Sequence, residues 1–191
     1  MKDTWTLGFT TSKYASACLL KNSEVMFHTT EETLSNREGD SRPFLLILEV
    51  LKYTSKLDCV IHTNEEQVDS LQQDIYFHLL QKLKLFESNK ELNNYNFKPG
   101  RDKYIAASAF YKSSFTECAV LVLHEASCSL WAVKDNIFDR KLNLKTAIKP
   151  TAEDIQKLTG LNNLITTTDD NLNVSWGAAQ YMYRYYKWKN T

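Results

Sequence analysis

Four histidines are the side chains of this sequence best suited to proton transfer near neutral pH, and they lie far apart: His28, His62, His78 and His124. His62 is the best placed. It closes the apolar run LDCVIHT beside Thr63, and a strand end is a common position for a site residue in an α/β fold. No partner for it is evident, and a lone histidine is ordinarily structural. Glu31 and Glu32 come nearest to a paired acid and base. They are adjacent, so on a strand they face opposite sides, and a solvated strand end is the plainer expectation. No nucleophile-elbow motif supports a Ser/His/Asp arrangement. The cysteines, Cys18, Cys59, Cys118 and Cys128, form no CxxC pair that would hold zinc. They read as buried free thiols of a reducing cytosol.

A second kind of chemistry lies in SWGAAQYMYRYYKWKN at the carboxyl end. Trp176, Gln180, Tyr183 and Lys187 fall on one helical stripe, and Tyr181, Tyr185 and Trp188 on another. With Trp176 and Tyr183 in the core, Tyr181, Tyr185 and Trp188 become interface candidates, flanked by Arg184, Lys187 and Lys189. Rings interleaved with cations also suit stacking on single-stranded nucleic acid. The charge balance argues against that use: 23 Lys and Arg stand against 23 Asp and Glu, so no broad field steers the chain to nucleic acid or to an anionic membrane. No apolar run is long enough for a bilayer, and MKDTWTLGFT has no secretory h-region, so a cytoplasmic protein without a membrane partner is expected.

The elements that must position these groups follow from periodicity. The 191 residues suit one domain, or two small lobes sharing a core. TWTLGFT alternates, with Trp5, Leu7 and Phe9 on the buried face of a half-buried strand. Two more strands flank a turn at Lys21-Asn22-Ser23. Asp40 or Ser41 is placed to cap a helix beginning near Pro43, with Phe44, Ile47, Leu48 and Leu51 as its stripe. A strand over LDCVIHT follows. Thr63 and Glu66 form a capping box for a helix that buries Val68, Leu71, Ile75, Leu79, Leu83 and Phe86. After the polar loop ESNKELNNYNFKPG come a short helix over Ile105 to Tyr111, the strand CAVLVL, and a hairpin turning at Lys134-Asp135-Asn136. A short helix over TAEDIQKLTG and the aromatic helix complete the order. An antiparallel meander followed by strand–helix units is the order of a ribonuclease-H-like α/β domain, a mixed sheet with flanking helices. On this division residues 1–100 form the first lobe. Residues 101–191 supply a linking helix, a second strand cluster that begins an incomplete second lobe, and the aromatic helix.

Three stretches give the chain a family likeness. LGFTTSKYASACLLKNSEVMFHTTEETLS, with Ala15 to Leu20, Glu31, Glu32 and Ser35 as matching positions, resembles the opening of the NodU/CmcH-type O-carbamoyltransferases. AASAFYKSSFTECAVLVL resembles that family's H-A-A-S-A-F-Y-P-S-x-F-x-x-A-x-V-L-V-x-D-G. The likeness covers about the first two-thirds of the chain. It implies the fold of the actin, sugar-kinase and heat-shock-ATPase group, and for the family itself ATP, carbamoyl phosphate and a divalent metal. TTSK, Thr10, Thr11, Ser12 and Lys13, also resembles the first phosphate loop of the sugar kinases, which makes these four phosphate-binding candidates; the alternative is a polar hairpin turn.

The departures fall on the chemical positions. Where the family has its H-H-x-x-H metal run, this chain has Arg101, Asp102 and Ile105. Isoleucine has no lone pair, and a guanidinium repels a metal. Lys13 and Tyr14 replace the first turn's His-Asp, and His124 and Glu125 replace the Asp-Gly of the second phosphate loop. Glutamate there brings bulk and negative charge where glycine lets amides approach a phosphate. The expectation is therefore a truncated carbamoyltransferase-like protein, non-catalytic on its own. It would need no cofactor or metal and would serve as a scaffold or assembly partner, as a homo-oligomer or with a partner chain. The alternatives are one chain of a split carbamoyltransferase whose partner supplies metal and nucleotide ligands, and a nucleic-acid-binding module using the basic-aromatic helix.

Overall fold

In the computed structural model the alternating amino-terminal segment forms β1 (Trp5–Thr10), followed by β2 (Ser16–Lys21) and β3 (Glu24–Thr30). The structure describes residues 3–11, 14–63, 70–86, 101–123, 127–145 and 171–189. Then come α1 (Glu31–Ser35), α2 (Phe44–Val50), β4 (Cys59–Thr63), α3 (Ser70–Lys82) and α4 (Arg101–Lys112). The carboxyl-terminal part holds β5 (Glu117–Leu123), β6 (Ser127–Lys134), β7 (Ile137–Lys145) and α5 (Asn171–Lys189). The fold is mixed α/β. One sheet has the order β3-β2-β1-β4, antiparallel except where β1 and β4 run parallel. The other is the antiparallel meander β5-β6-β7. Its hairpin turns at Asp135 and Asn136, both left-handed at φ 51° and 62°, the conformation that matches the twist of a two-residue connection.

The first sheet is covered on both faces, which corrects the half-buried reading of β1. Leu7 and Phe9 pack with Leu19, Leu46, Ile47, Val50 and Leu80 beneath α2 and α3. The alternate positions face α5: Gly8 lies against Ser175 and Ala179, and Cys18 and Leu20 pack on Ala179. A third cluster joins the two sheets through Ile61, Tyr104, Phe110, Trp131, Phe138 and Met182. Helix α5 thus packs on β1, β2 and β4 of the first sheet and on α4, although the sequence division had grouped it with the second strand cluster. Cys18 and Cys59 are buried, Cys118 and Cys128 partly so, and all four are free. Burial pushes the Cys59 thiol up to about 12.

Helix α4 begins at Arg101, four residues before the expected start, with Asp102 favourably in its first turn. In α3 Tyr76 and Leu80 are buried while Ile75 is exposed, so its stripe is rotated from the expected one. Val68, Glu66 and the TAEDIQKLTG segment lie outside the described residues. Helix α2 buries Leu46, Ile47 and Val50 and exposes Phe44, Leu48 and Leu51. FLLILEV is apolar on every side, so its periodicity does not fix its phase. What fixes it is Glu31, whose carboxylate accepts from the amides of Leu45 at 2.8 Å and Leu46 at 2.9 Å. Asp40 instead accepts from the Arg42 amide. Glu31 is only 2% exposed, not a solvated strand end. Burial raises its pKa, and the two amides restrain the rise. Glu31→Ala is expected to cost on the order of 2 kcal/mol or more, because two helix-terminal amides lose their acceptor. A urea titration checks this; a loss under about 0.5 kcal/mol would show that water replaces the carboxylate freely.

Candidate functional site

The parallel pair β1/β4 brings two strand carboxyl ends together, with Thr10 opposite Thr63. Ligands of open α/β sheets bind outside such ends. Here the polar groups are largely engaged with one another. Thr10 Oγ1 accepts from the Ser16 amide at 3.0 Å and lies 3.3 Å from Ser16 Oγ. Thr11 Oγ1 and His62 Nε2 are 2.8 Å apart. The His62 ring stacks on Phe9, centroids 4.8 Å apart, and is flanked by Tyr76 and Phe77. Burial among these rings lowers its pKa to about 4, so at neutral pH it is an uncharged imidazole held by one hydroxyl. Thr63 Oγ1 is buried and has no hydrogen-bond partner among the described residues. Of the four phosphate candidates, Thr10 and Thr11 are buried and their hydroxyls are committed to Ser16 and His62. Ser12 and Lys13 lie outside the described residues, as do His124 and Glu125.

The amino end of α4 is a second cluster. Asp102 Oδ2 accepts from Ser129 Oγ at 2.7 Å, and Ser129 Oγ accepts from the Trp131 indole at 2.9 Å. This relay ties α4 to β6. Ile105 is 5% exposed in the core between the sheets, and Arg101 is half-buried. The residues at the likened metal positions do not fit a metal: one is a packed hydrocarbon, one a cation, and the carboxylate already accepts from a hydroxyl. Among the described residues no three His, Cys, Asp or Glu side chains converge as ligands. Lys103 donates to the Tyr181 hydroxyl at 2.9 Å and lies over its ring at 4.3 Å; burial lowers its pKa. Burial also raises the phenols of Tyr104 and Tyr111, whose hydroxyl oxygens are buried without partners.

The aromatic helix does not divide into one core and one exposed stripe as expected: Tyr181 and Gln180 are buried, and Trp176, Tyr183 and Tyr185 are each half-buried. Tyr181 is 9% exposed, edge-on to Tyr104 and Phe138, so it is not an interface residue. Tyr185 stacks on it and is half-buried; the Trp188 side chain lies outside the described residues. Trp176 and Tyr183 are the half-buried flank on Cys18 and Leu20. The cations fold over rings: Lys112 over Trp176 at 5.2 Å, Arg184 over Tyr111 at 5.5 Å, Lys187 over Tyr183 at 5.8 Å. Each of these three cations is thus already seated on a ring. Sequence reasoning missed Lys103 and Asn173, and it placed Glu31 at a solvated strand end. Asn173 Oδ1 accepts from Lys112 and from Ser108 Oγ, bridging α4 and α5. Their partners lie 14 to 78 residues away, and no local pattern marks them.

No protein-family model matches the chain, and no curated protein sequence does. Among solved structures the Aquifex aeolicus PPX-GPPA enzyme is similar at a TM-score of 0.38 and 12% identity, over 82% of this chain and 60% of that one. The chain therefore spans 60% of that enzyme's length, and at this score the likeness decides neither fold family nor activity. No helix among the described residues is long and apolar enough to cross a membrane.

Proposed function

We propose that this chain is a ribonuclease-H-like, carbamoyltransferase-related protein that does no catalysis alone and acts as a scaffold or assembly partner. The β3-β2-β1-β4 order with one parallel pair, followed by a second antiparallel meander, supports the fold assignment. The observation that carries the functional reading is the relay from Asp102 through Ser129 to Trp131, with Ile105 packed beneath it. At the positions likened to metal ligands, Asp102 ties α4 to β6 and Ile105 fills the core between the sheets. The crevice at Thr10, Thr11 and His62 supports the same reading, because its hydrogen-bonding groups are largely satisfied internally and no cation stands among its described side chains.

Protein purified without a histidine tag is expected to carry no stoichiometric iron or zinc and to show no micromolar affinity for ATP or carbamoyl phosphate in calorimetric titration. Asp102→Asn should cost about 1 kcal/mol of stability, from the weakened Ser129 contact, and leave metal content unchanged. One tightly held metal per chain that disappears in Asp102→Asn, or micromolar binding of either ligand, would overturn the reading.

A further inference from the structure

The described sheet edges differ in how they are guarded. An unpaired edge is a template for another strand unless a bulge, a charge, a proline or a covering element blunts it. On β3 the register shifts at Leu19/Leu20, and His28 is bonded to the Leu172 carbonyl of α5. On β7 the register shifts at Leu130/Trp131, and Asp139, Arg140 and Lys141 run consecutively. Strand β4 is buried. Among the described residues, strand β5 shows none of these devices beyond Glu117 at its first position. It pairs with β6 in unbroken register from Glu117 to Leu123, and its last six residues, CAVLVL, contain no charge and no proline. No backbone hydrogen bond reaches its outer side among the described residues. In the first sheet the corresponding leading strand, β1, has β4 on that side.

The face of the second sheet turned away from α4 is apolar around Ala119 and Leu121 and carries charge toward one end, at Glu117, Lys134 and Asp139. Cys118, Val120 and Val122 point into the core, so Ala119 and Leu121 point outward beside Leu142; Leu121 is 45% exposed and Leu142 42%.

The geometry points to a second copy of this chain pairing along β5, antiparallel about a two-fold axis at Val120. This deepens the assembly reading by naming its surface and its partner. Pairing centred on Val120 sets Ala119 opposite Leu121 of the other copy, Cys118 opposite Val122, and Glu117 opposite Leu123. The strand is self-complementary in that register. The two Glu117 carboxylates, each paired with Lys134 of its own chain at 3.1 Å, end about 20 Å apart. A parallel copy in register would set them side by side. The zero formal charge of the chain removes net repulsion between copies. The result is a closed six-stranded sheet whose outer face brings Ala119 and Leu121 of both copies together, with a Glu117–Lys134 pair at either side, an isologous contact that does not propagate.

Light scattering and sedimentation across a hundredfold concentration range test this on the full chain, with two variants at outward-facing positions. Ala119→Lys/Leu121→Lys sets introduced ammonium groups against one another twice across the two-fold. Its self-association should weaken at least tenfold while its circular dichroism stays native. Ala119→Lys/Leu121→Glu sets opposite charges together in the same register and should remain a dimer. The proposal is overturned by a wild-type monomer at every concentration, by a dimer indifferent to the double lysine variant, or by folded variants that dissociate equally. Metal or ATP binding would sink the non-catalytic reading above and leave these outcomes unchanged.

Discussion

Gly177→Ala is expected to lower stability by about 3 kcal/mol. A Cβ on Gly177 would stand 2.0 Å from the Tyr104 carbonyl oxygen and 2.9 Å from the Ser108 amide nitrogen. Both are backbone atoms of α4, so no side-chain rotation relieves the clash. Helix α4 would have to back away, opening the cluster of Tyr104, Ile105, Phe110 and Trp131. Helix propensity runs the other way, since alanine inside a helix is favoured over glycine by about 1 kcal/mol. The sign of the result therefore decides between them. Gly8→Ala should behave similarly, because its Cβ would lie 2.5 Å from the Ser175 carbonyl oxygen and 2.8 Å from the Ala179 nitrogen. The two glycines mark the two crossings of α5, over β1 on one side and α4 on the other. A urea midpoint for Gly177→Ala at or above that of the parent would mean that α4 and α5 do not approach as closely as this packing requires.

How much of this was legible in the sequence depended on how local each determinant is. The strands of TWTLGFT and LDCVIHT, and the hairpin at Asp135-Asn136, follow from alternation and turn residues within a few positions, and they stand where expected. The phase of α2 does not, because leucine and isoleucine occupy every side of it. Its setting comes from a carboxylate 14 residues upstream. Both stripes of α5 carry rings, Trp176 and Tyr183 on one and Tyr181, Tyr185 and Trp188 on the other, so composition did not choose between Tyr181 and Tyr183. The choice follows from Gly177, whose missing side chain lets α4 press on that side and bury Tyr181 against Tyr104. The run Gly177-Ala178-Ala179 was the available sign, since small residues between rings mark a close helix crossing. At the candidate site, the departures at Arg101 and Ile105 were plain from residue type alone. The engagement of Asp102 by Ser129 was not, because it joins elements 27 residues apart.

Acidification from pH 6.5 to 4 is expected to destabilise the fold through His62. Burial against Phe9, Tyr76 and Phe77 holds its pKa near 4, below the ordinary 6.5. The unfolded chain therefore takes up a proton in that window while the folded chain does not. The stability that a neutral His62 lends is full above pH 6.5. It is lost progressively as pH falls, by about 3 kcal/mol once pH passes 4. Glu31 acts with the opposite sign. Its folded pKa is raised above 4.5, chiefly by burial, so its contribution is full below 4.5 and is lost as pH rises through the folded value. The two partly offset one another in mild acid. Asp40, held low chiefly by the Arg42 amide, adds a loss only below its ordinary 3.8. Urea midpoints measured every half pH unit should thus fall between 6.5 and 4. His62→Phe keeps a ring on Phe9 but cannot take up a proton, so it should lose most of that fall. Glu31→Gln removes the opposing group and should steepen it. An unchanged slope in His62→Phe would mean that His62 accepts its proton in the folded state, and the aromatic enclosure would have to open to water in solution.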